Sequence, residues 1–151
     1  NNAALEYAQN LGIAMQLTYS VRDIKDDIKR NRIYIPQSEM LEFGYEETQL
    51  KEFKYSENFY ALMAFQIQRI RSFFDGSSEL NQHINEDSQS CINILRTLYL
   101  KILAKIEESD YKLYGPEISL SKREKITIML SLWISHIAMD FTNKFKSIII
   151  K

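Results

Sequence analysis

The sequence predicts an all-α protein folded as one helical bundle. Only four glycines and two prolines occur in 151 residues, so the chain is short of the residues that form tight turns between strands. Apolar residues instead recur at spacings of three and four over long stretches, which is typical of amphipathic helices. A chain of this length is the size of one domain, and we expect no internal boundary within residues 1–151.

The first helical pattern extends from residue 3 to about residue 30, which corresponds to a helix about 40 Å long. Its apolar positions are Leu5, Ala8, Leu11, Ile13, Ala14, Leu17, Val21, Ile24 and Ile28. Pro36 and Gly44 then bracket a connecting stretch that holds a short helix between two breaks. The N-terminal third is therefore expected to be one long helix followed by an irregular connection.

Three further long helices are expected downstream. The second covers residues 56–74 and ends in the Asp-Gly-Ser-Ser sequence that follows, and the third covers residues 87–109. The fourth starts at Ser121 and continues to about residue 145. Ser121 with Glu124 three residues later matches the capping box, in which two side chains satisfy free backbone N–H groups at a helix start.

Composition excludes several classes of protein. The net charge of -1 lacks the strongly basic balance of a nucleic-acid binder. No apolar run approaches the ~20 residues of a membrane-spanning helix. A single cysteine, Cys91, is expected to be a buried, inert thiol in a reducing, cytoplasmic compartment. Ile148–Ile150, between Lys146 and Lys151, are expected to form a packed or frayed end, with peripheral membrane contact as the alternative.

Asp23 and Asp27 are the first candidates for chemistry. At a spacing of four residues their carboxylates share one face of a helix, about 6 Å apart at the Cβ atoms. One interpretation is a solvated charged face, balanced by the Lys and Arg residues around it. The other is a Mg²⁺ site, because a hard cation prefers carboxylate and phosphate oxygens.

The residues around this pair resemble the second aspartate-rich signature of the squalene and phytoene synthase family. The matching positions are Leu11-Gly12, Gln16, Arg22-Asp23, Asp27, Arg32, Tyr34 and Pro36. A weaker similarity continues from Ile102 to Lys125. The resemblance implies the C-terminal half of an isoprenoid-synthase-type bundle, with an N-terminal half of the same protein missing from this chain.

The resemblance also implies a set of roles. Asp23 and Asp27 would bind Mg²⁺ ions that bridge to a prenyl diphosphate, with Gln16 in a supporting position. The residues expected at the diphosphate are Arg22, Arg32, Tyr34, Tyr111 and Lys122. The implied activity is the head-to-head condensation of farnesyl diphosphate or a longer homologue, through ionisation of the allylic C–O bond. The sequence leaves open whether NADPH is used.

Two departures from the family pattern keep alternatives open. Tyr19 stands where the family places an Asn metal ligand, and a phenol binds Mg²⁺ poorly. The family's first aspartate-rich motif is missing, so this chain alone is expected to hold half a metal site and to be inactive. The alternatives are a prenyl diphosphate phosphatase, in which water captures the cation, and an inactive assembly factor. The intact pair of Asp23 and Asp27 argues against the assembly factor.

Overall fold

The computed structural model describes residues 2–134 and is built from helices. The α-helices are α1 (Asn2–Arg22), α2 (Ile24–Lys29), α3 (Gln37–Glu42), α4 (Glu47–Lys51), α5 (Glu57–Asp75), α6 (Glu86–Glu108) and α7 (122–134), with a 3₁₀ helix (Ser78–His83) between α5 and α6. No strand occurs among these residues. The predicted all-α class is confirmed.

The long downstream helices lie where the sequence predicts them. The bounds of α5 and α6 agree with the predicted ranges to within one residue at each end, and the Ser56 hydroxyl caps α5 by accepting from the Phe59 N–H at 3.2 Å. The capping box of α7 is also present. Ser121 N–H donates to Glu124 Oε2 at 2.7 Å, and Glu124 N–H donates to Ser121 Oγ at 3.2 Å. The predicted continuation of α7 and the Ile148–Ile150 segment lie outside the described residues.

The long N-terminal helix is divided in two at Asp23, so the prediction of one continuous helix is wrong. Asp23 has φ -92° and ψ 8°, which is the bridge region beside the helical one. The Thr18 hydroxyl donates to the Ala14 carbonyl and the Ser20 hydroxyl to the Gln16 carbonyl. Such bonds to the carbonyl four residues earlier often bend helices, which gives a physical reason for the break one turn later.

The core forms where α1 packs on α5 and α6. The buried residues of α1 are Leu11, Ala14, Thr18 and Val21. The buried residues of α5 are Phe59, Leu62, Met63, Gln66, Ile67, Ile70 and Phe74. The arrangement leaves the opposite side of α1 exposed, including Leu5, Ile13 and Tyr19.

The expectation that Cys91 is buried is wrong, because the thiol is exposed. Buried positions of α6 begin only at Tyr99 and continue through Ile102, Leu103 and Ile106. The first half of the helix lies at the edge of the core, and Cys91 is on its outer side. The usual preference of cysteine for burial is therefore overridden by its place on this helix.

A second exposed apolar surface lies on α7. Its side chains are at least half exposed: Ile126, Met129, Leu130, Trp133 and Ile134. Within residues 2–134 no helix is long and apolar enough to cross a membrane.

Candidate active site

Asp23 and Asp27 lie at the junction of α1 and α2. The Asp27 N–H donates to the Asp23 carbonyl at 2.9 Å, and the Asp23 N–H donates to the Tyr19 carbonyl at the same distance. These bonds keep the register of an α-helix through the break. The two carboxylates therefore project from the same side of the chain, as the sequence predicts.

The Asp27 side chain is buried without a partner. Its residue is 9% exposed, and within residues 2–134 its carboxylate accepts no hydrogen bond and forms no ion pair. Its oxygens still reach water, since they are not among the enclosed side-chain atoms of the described residues that lack a hydrogen-bond partner, so the carboxylate is open to an ion from solution. Such a group is suited to receive a cation.

The Asp23 carboxylate, in contrast, is already paired. Arg22 Nε donates to Oδ1 at 2.6 Å and Arg22 Nη2 donates to Oδ2 at 2.9 Å. The side chains are 17% and 34% exposed, respectively, so the pair is partly shielded from water. The hydrogen bond to Asp23 raises the pKa of Arg22 above its ordinary value, and the guanidinium is positively charged at every physiological pH.

Tyr19 lies between this ion pair and α6. The guanidinium carbon of Arg22 is 4.5 Å from the centre of the Tyr19 ring, a cation–π distance. The Tyr19 ring also meets the ring of Tyr99 edge-on, with centroids 5.0 Å apart. Burial, followed by hydrogen bonding to Tyr19, raises the pKa of Tyr99. The tyrosine that replaces the expected Asn is thus held in place from two sides.

The loop that follows α6 closes one side of the junction. Lys25 Nζ donates to the Gly115 carbonyl at 2.8 Å, across 90 residues of sequence. A small cavity of about 50 Å³ is lined by Arg22, Asp23, Lys25, Asp26, Leu113, Gly115 and Glu117. The charged end of α1 and the loop therefore form one structural unit.

The structure connects the other predicted site residues less closely to the pair of Asp23 and Asp27. Gln16 is exposed on α1, and Arg32, also exposed, donates its backbone N–H to the Asp27 carbonyl at 2.8 Å. Tyr34 is 54% exposed. Tyr111 packs against the core after α6, and Lys122 is exposed in the first turn of α7. Among residues 2–134, no hydrogen bond or ion pair joins Tyr111 or Lys122 to the two aspartates.

The donor set at the junction fits one particular mode of metal binding. Residues 2–134 contain no group of three or more His, Cys, Asp or Glu side chains that could hold a metal ion by itself. Mg²⁺ is commonly held by one or two carboxylates and completes its shell with waters and substrate phosphates. Two carboxylates on one side of a helical junction, one of them lacking a partner, fit that mode.

Sequence reasoning missed Lys25, Tyr99 and the loop around Gly115. The contacts of Lys25 and Tyr99 with the site connect residues that are 80 or more positions apart. The sequence around Lys25 indicates only a charged position, and the sequence around Tyr99 indicates only a core position. A sequence signal would have required knowledge of which helices pack together.

The squalene/phytoene synthase family model matches residues 1–127 of the chain. The chain belongs to this family.

Relatives and solved structures agree with this assignment. Phytoene synthase 2 of Solanum lycopersicum is 35% identical over 125 residues, which are 83% of this chain and 39% of the relative. The phytoene synthase of Arthrospira platensis is 38% identical over 110 residues, 73% of this chain and 36% of the relative. A crystal structure of a dehydrosqualene synthase superposes with a TM-score of 0.75 at 26% identity, covering 87% of this chain and 47% of that chain.

The squalene/phytoene synthase relatives are much longer than this chain. It spans less than two fifths of each of the two relatives and about half of the dehydrosqualene synthase chain. The fold of that structure confirms the predicted isoprenoid-synthase-type bundle.

Proposed function

We propose that this chain carries one carboxylate pair of a Mg²⁺-dependent prenyltransferase that condenses two prenyl diphosphates head to head. The observation that carries the proposal is the buried Asp27 carboxylate without a partner, four residues from Asp23 and on the same side. A solvated charged face does not need a buried carboxylate. Membership of the family supports the reaction class.

The residues at the junction suit the departure of a diphosphate. Asp23 and Asp27 would hold Mg²⁺, which would supply positive charge where the allylic C–O bond breaks and negative charge develops. Arg22, Lys25 and Arg32 add fixed positive charge within ten residues of the pair. Their task is electrostatic stabilisation of the leaving diphosphate rather than covalent chemistry.

The exposed side of α1 suits an amphipathic substrate. Leu5 and Ile13 lie toward its N-terminus, 60% and 41% exposed, and Gln16, Tyr19 and Asp23 follow at helical spacing toward its C-terminus. The polar residues Glu6 and Gln9 are also exposed on α1, so the charged junction lies at one end of a mixed surface that includes large apolar side chains. A diphosphate head at the junction would leave its prenyl chain to lie over these apolar side chains.

The additional segment of the longer relatives is the proposed partner of the exposed apolar faces. The dehydrosqualene synthase chain has about twice the length that this chain covers, while α1 and α7 leave large apolar side chains uncovered. Packing that segment against these faces would remove apolar surface from water. We propose that it also supplies the remaining metal ligands.

Tyr19 favours a second candidate, a prenyl diphosphate phosphatase. Its ring is engaged by Arg22 and Tyr99, and a neutral phenol is a poor ligand for Mg²⁺. With one metal ligand fewer, ionisation can still occur, and water can capture the cation before a second prenyl diphosphate does. The product would then be an alcohol and free diphosphate.

The test is incubation of the full-length protein with Mg²⁺ and farnesyl or geranylgeranyl diphosphate, followed by mass spectrometry. A C30 or C40 hydrocarbon, or the cyclopropyl diphosphate that precedes it, supports condensation. Farnesol or geranylgeraniol supports the phosphatase. Unchanged substrate contradicts both and favours an assembly role. Adding NADPH in a parallel reaction tests whether a reduced product forms.

Substitutions at the pair test the site directly. Asp23→Asn and Asp27→Asn should each abolish turnover, because an amide is a much weaker ligand for Mg²⁺ than a carboxylate. Asp26→Asn is the matched control, since Asp26 is exposed and paired with Lys29 at 2.8 Å. Undiminished turnover in either of the first two variants would overturn the metal assignment.

A further inference from the structure

Tyr99, Tyr19, Arg22 and Asp23 form a continuous chain of contacts from the core to the site. Tyr99 is a buried residue of α6, and its ring meets the Tyr19 ring edge-on. The other contact of the Tyr19 ring is with the Arg22 guanidinium, at 4.5 Å. Arg22 in turn binds both carboxylate oxygens of Asp23. The buried part of α6 is thus connected to Arg22 through the Tyr19 ring.

Arg22 and a divalent cation compete for the same two oxygens. A bidentate guanidinium–carboxylate pair uses both Oδ atoms of Asp23 and is strong for a hydrogen-bonded contact. A Mg²⁺ or Mn²⁺ ion needs at least one of these oxygens. The cation can therefore bind Asp23 well only when Arg22 moves away or loosens its contact.

Phosphate can supply the alternative partner for Arg22. A guanidinium presents planar donors that match phosphate oxygens as well as carboxylate oxygens. An anion that draws Arg22 from Asp23 leaves the carboxylate available to the cation. The phosphate and the cation would then assist each other at the junction.

We infer that Tyr19 is a positioning residue that holds Arg22 on Asp23 and so makes divalent-cation binding at the Asp23–Asp27 pair depend on a phosphate group. This inference rests on the proposed function, because it assumes that the pair binds the cation. It assigns the effect to the Tyr19 ring rather than to its hydroxyl.

The test measures the affinity of the full-length protein for Mn²⁺, with free Mn²⁺ followed by electron paramagnetic resonance. Titrations are made with and without inorganic phosphate, against protein-free titrations at the same phosphate concentration. The variants are Tyr19→Leu, which removes the ring, Tyr19→Phe, which keeps it, Arg22→Gln and Asp23→Asn. Circular dichroism establishes that each variant is folded.

Loss of the ring should tighten Mn²⁺ binding without phosphate by roughly three- to tenfold, the range expected for a cation–π contact. Tyr19→Phe should stay within about twofold of the unsubstituted chain. Arg22→Gln should tighten binding at least as much as Tyr19→Leu, and it serves as the test if Tyr19→Leu does not fold. Phosphate should tighten binding to the unsubstituted chain but not to Arg22→Gln.

The outcomes separate this inference from the proposed function. If Asp23→Asn weakens Mn²⁺ binding while Tyr19→Leu and Arg22→Gln leave it unchanged, the role of Tyr19 is wrong and the metal site stands. If Tyr19→Phe tightens binding as much as Tyr19→Leu, the hydroxyl and not the ring is responsible, and the inference fails. If Asp23→Asn has no effect, the metal site and the inference both fail.

Discussion

Tyr45 and Tyr114 connect the loop beside the site to the core, and the bonds of their hydroxyls predict an asymmetry in stability. The Tyr45 hydroxyl donates to the Lys54 carbonyl at 2.6 Å and lies 3.2 Å from the Tyr114 hydroxyl. Burial, followed by hydrogen bonding to Tyr45, raises the pKa of Tyr114. Since Tyr45 uses its only proton on Lys54, Tyr114 is the donor in the pair.

The two Tyr→Phe substitutions should therefore cost different amounts. Tyr114→Phe removes one long hydroxyl–hydroxyl bond and leaves Tyr45 bound to Lys54, which should cost about 0.5–1 kcal/mol. Tyr45→Phe removes two bonds and leaves the Lys54 carbonyl and the Tyr114 hydroxyl without partners, which should cost about 2–3 kcal/mol. In a chain of this size the larger cost corresponds to a Tm lower by about 5–10 °C.

Urea unfolding of both single variants and the double variant, followed by circular dichroism, measures these costs and their coupling. The double variant should be no less stable than Tyr45→Phe, because the Tyr114 hydroxyl that lost its partner is then also gone. Tyr60→Phe is the control, since the Tyr60 hydroxyl forms no hydrogen bond among residues 2–134 and its loss should change stability by less than about 0.5 kcal/mol. Equal costs for Tyr45→Phe and Tyr114→Phe would refute the assignment of donor and acceptor.

Three further predictions concern the start of α7, Gly44 and Gly12. Hydrogen bonds from Lys105 and from the Ser121 backbone lower the pKa of Glu124 to about 2, so its contribution to stability is present above its ordinary pKa near 4.5 and is lost as the pH falls toward 2. The difference in urea midpoint between the unsubstituted chain and Glu124→Gln should therefore shrink between pH 5 and about pH 2, and a difference independent of pH would contradict this reasoning. Gly44→Ala should destabilise the chain by about 1–2 kcal/mol, because Gly44 has φ +62° and an added Cβ would lie 3.1 Å from Asn58 Nδ2. Gly12→Ala should stabilise the chain by about 0.5–1 kcal/mol, because a Cβ on this α1 residue meets nothing within 4 Å. Thermal unfolding of the two glycine variants measures whether stability falls in Gly44→Ala and rises in Gly12→Ala. A loss of stability in Gly12→Ala would contradict the prediction for Gly12.

The parts of the fold that the sequence predicts well depend on local chemistry. The start of α5 follows from the hydroxyl of Ser56, and the start of α7 follows from the reciprocal bonds of Ser121 and Glu124. Both signals act within one helical turn. In contrast, α4 and the 3₁₀ helix have five and six residues, too few to show a helical period.

The break at Asp23 and the exposure of Cys91 could not be predicted in the same way. Apolar spacing continues through residue 23 because the hydrogen bonds of Asp23 and Asp27 preserve the helical register. A pattern based on register therefore does not detect a change of φ and ψ at one residue. The exposure of Cys91 depends on which part of α6 packs against the core, and the buried positions of this helix begin only at Tyr99.

The pair of aspartates was found from sequence, but its electrostatic state was not. On an exposed helix face two carboxylates at this spacing would repel by only a few tenths of a kcal/mol, and nothing would distinguish a site from a solvated surface. The structure makes the two groups unequal: Arg22 neutralises Asp23 through two hydrogen bonds, while Asp27 is buried and has no partner among residues 2–134.

This inequality argues for a binding site. On a surface that serves stability alone, a carboxylate on a residue this largely covered would be expected to have a cationic partner, since covering an unpaired charge is unfavourable. Here Arg22 is bound to the neighbouring aspartate and contacts the Tyr19 ring, and the Asp27 carboxylate has no partner among residues 2–134. An incoming cation that contacts both carboxylates gains most if Arg22 is transferred to an anion at the same time. The arrangement therefore favours the joint arrival of a divalent cation and a phosphate group over the arrival of either alone.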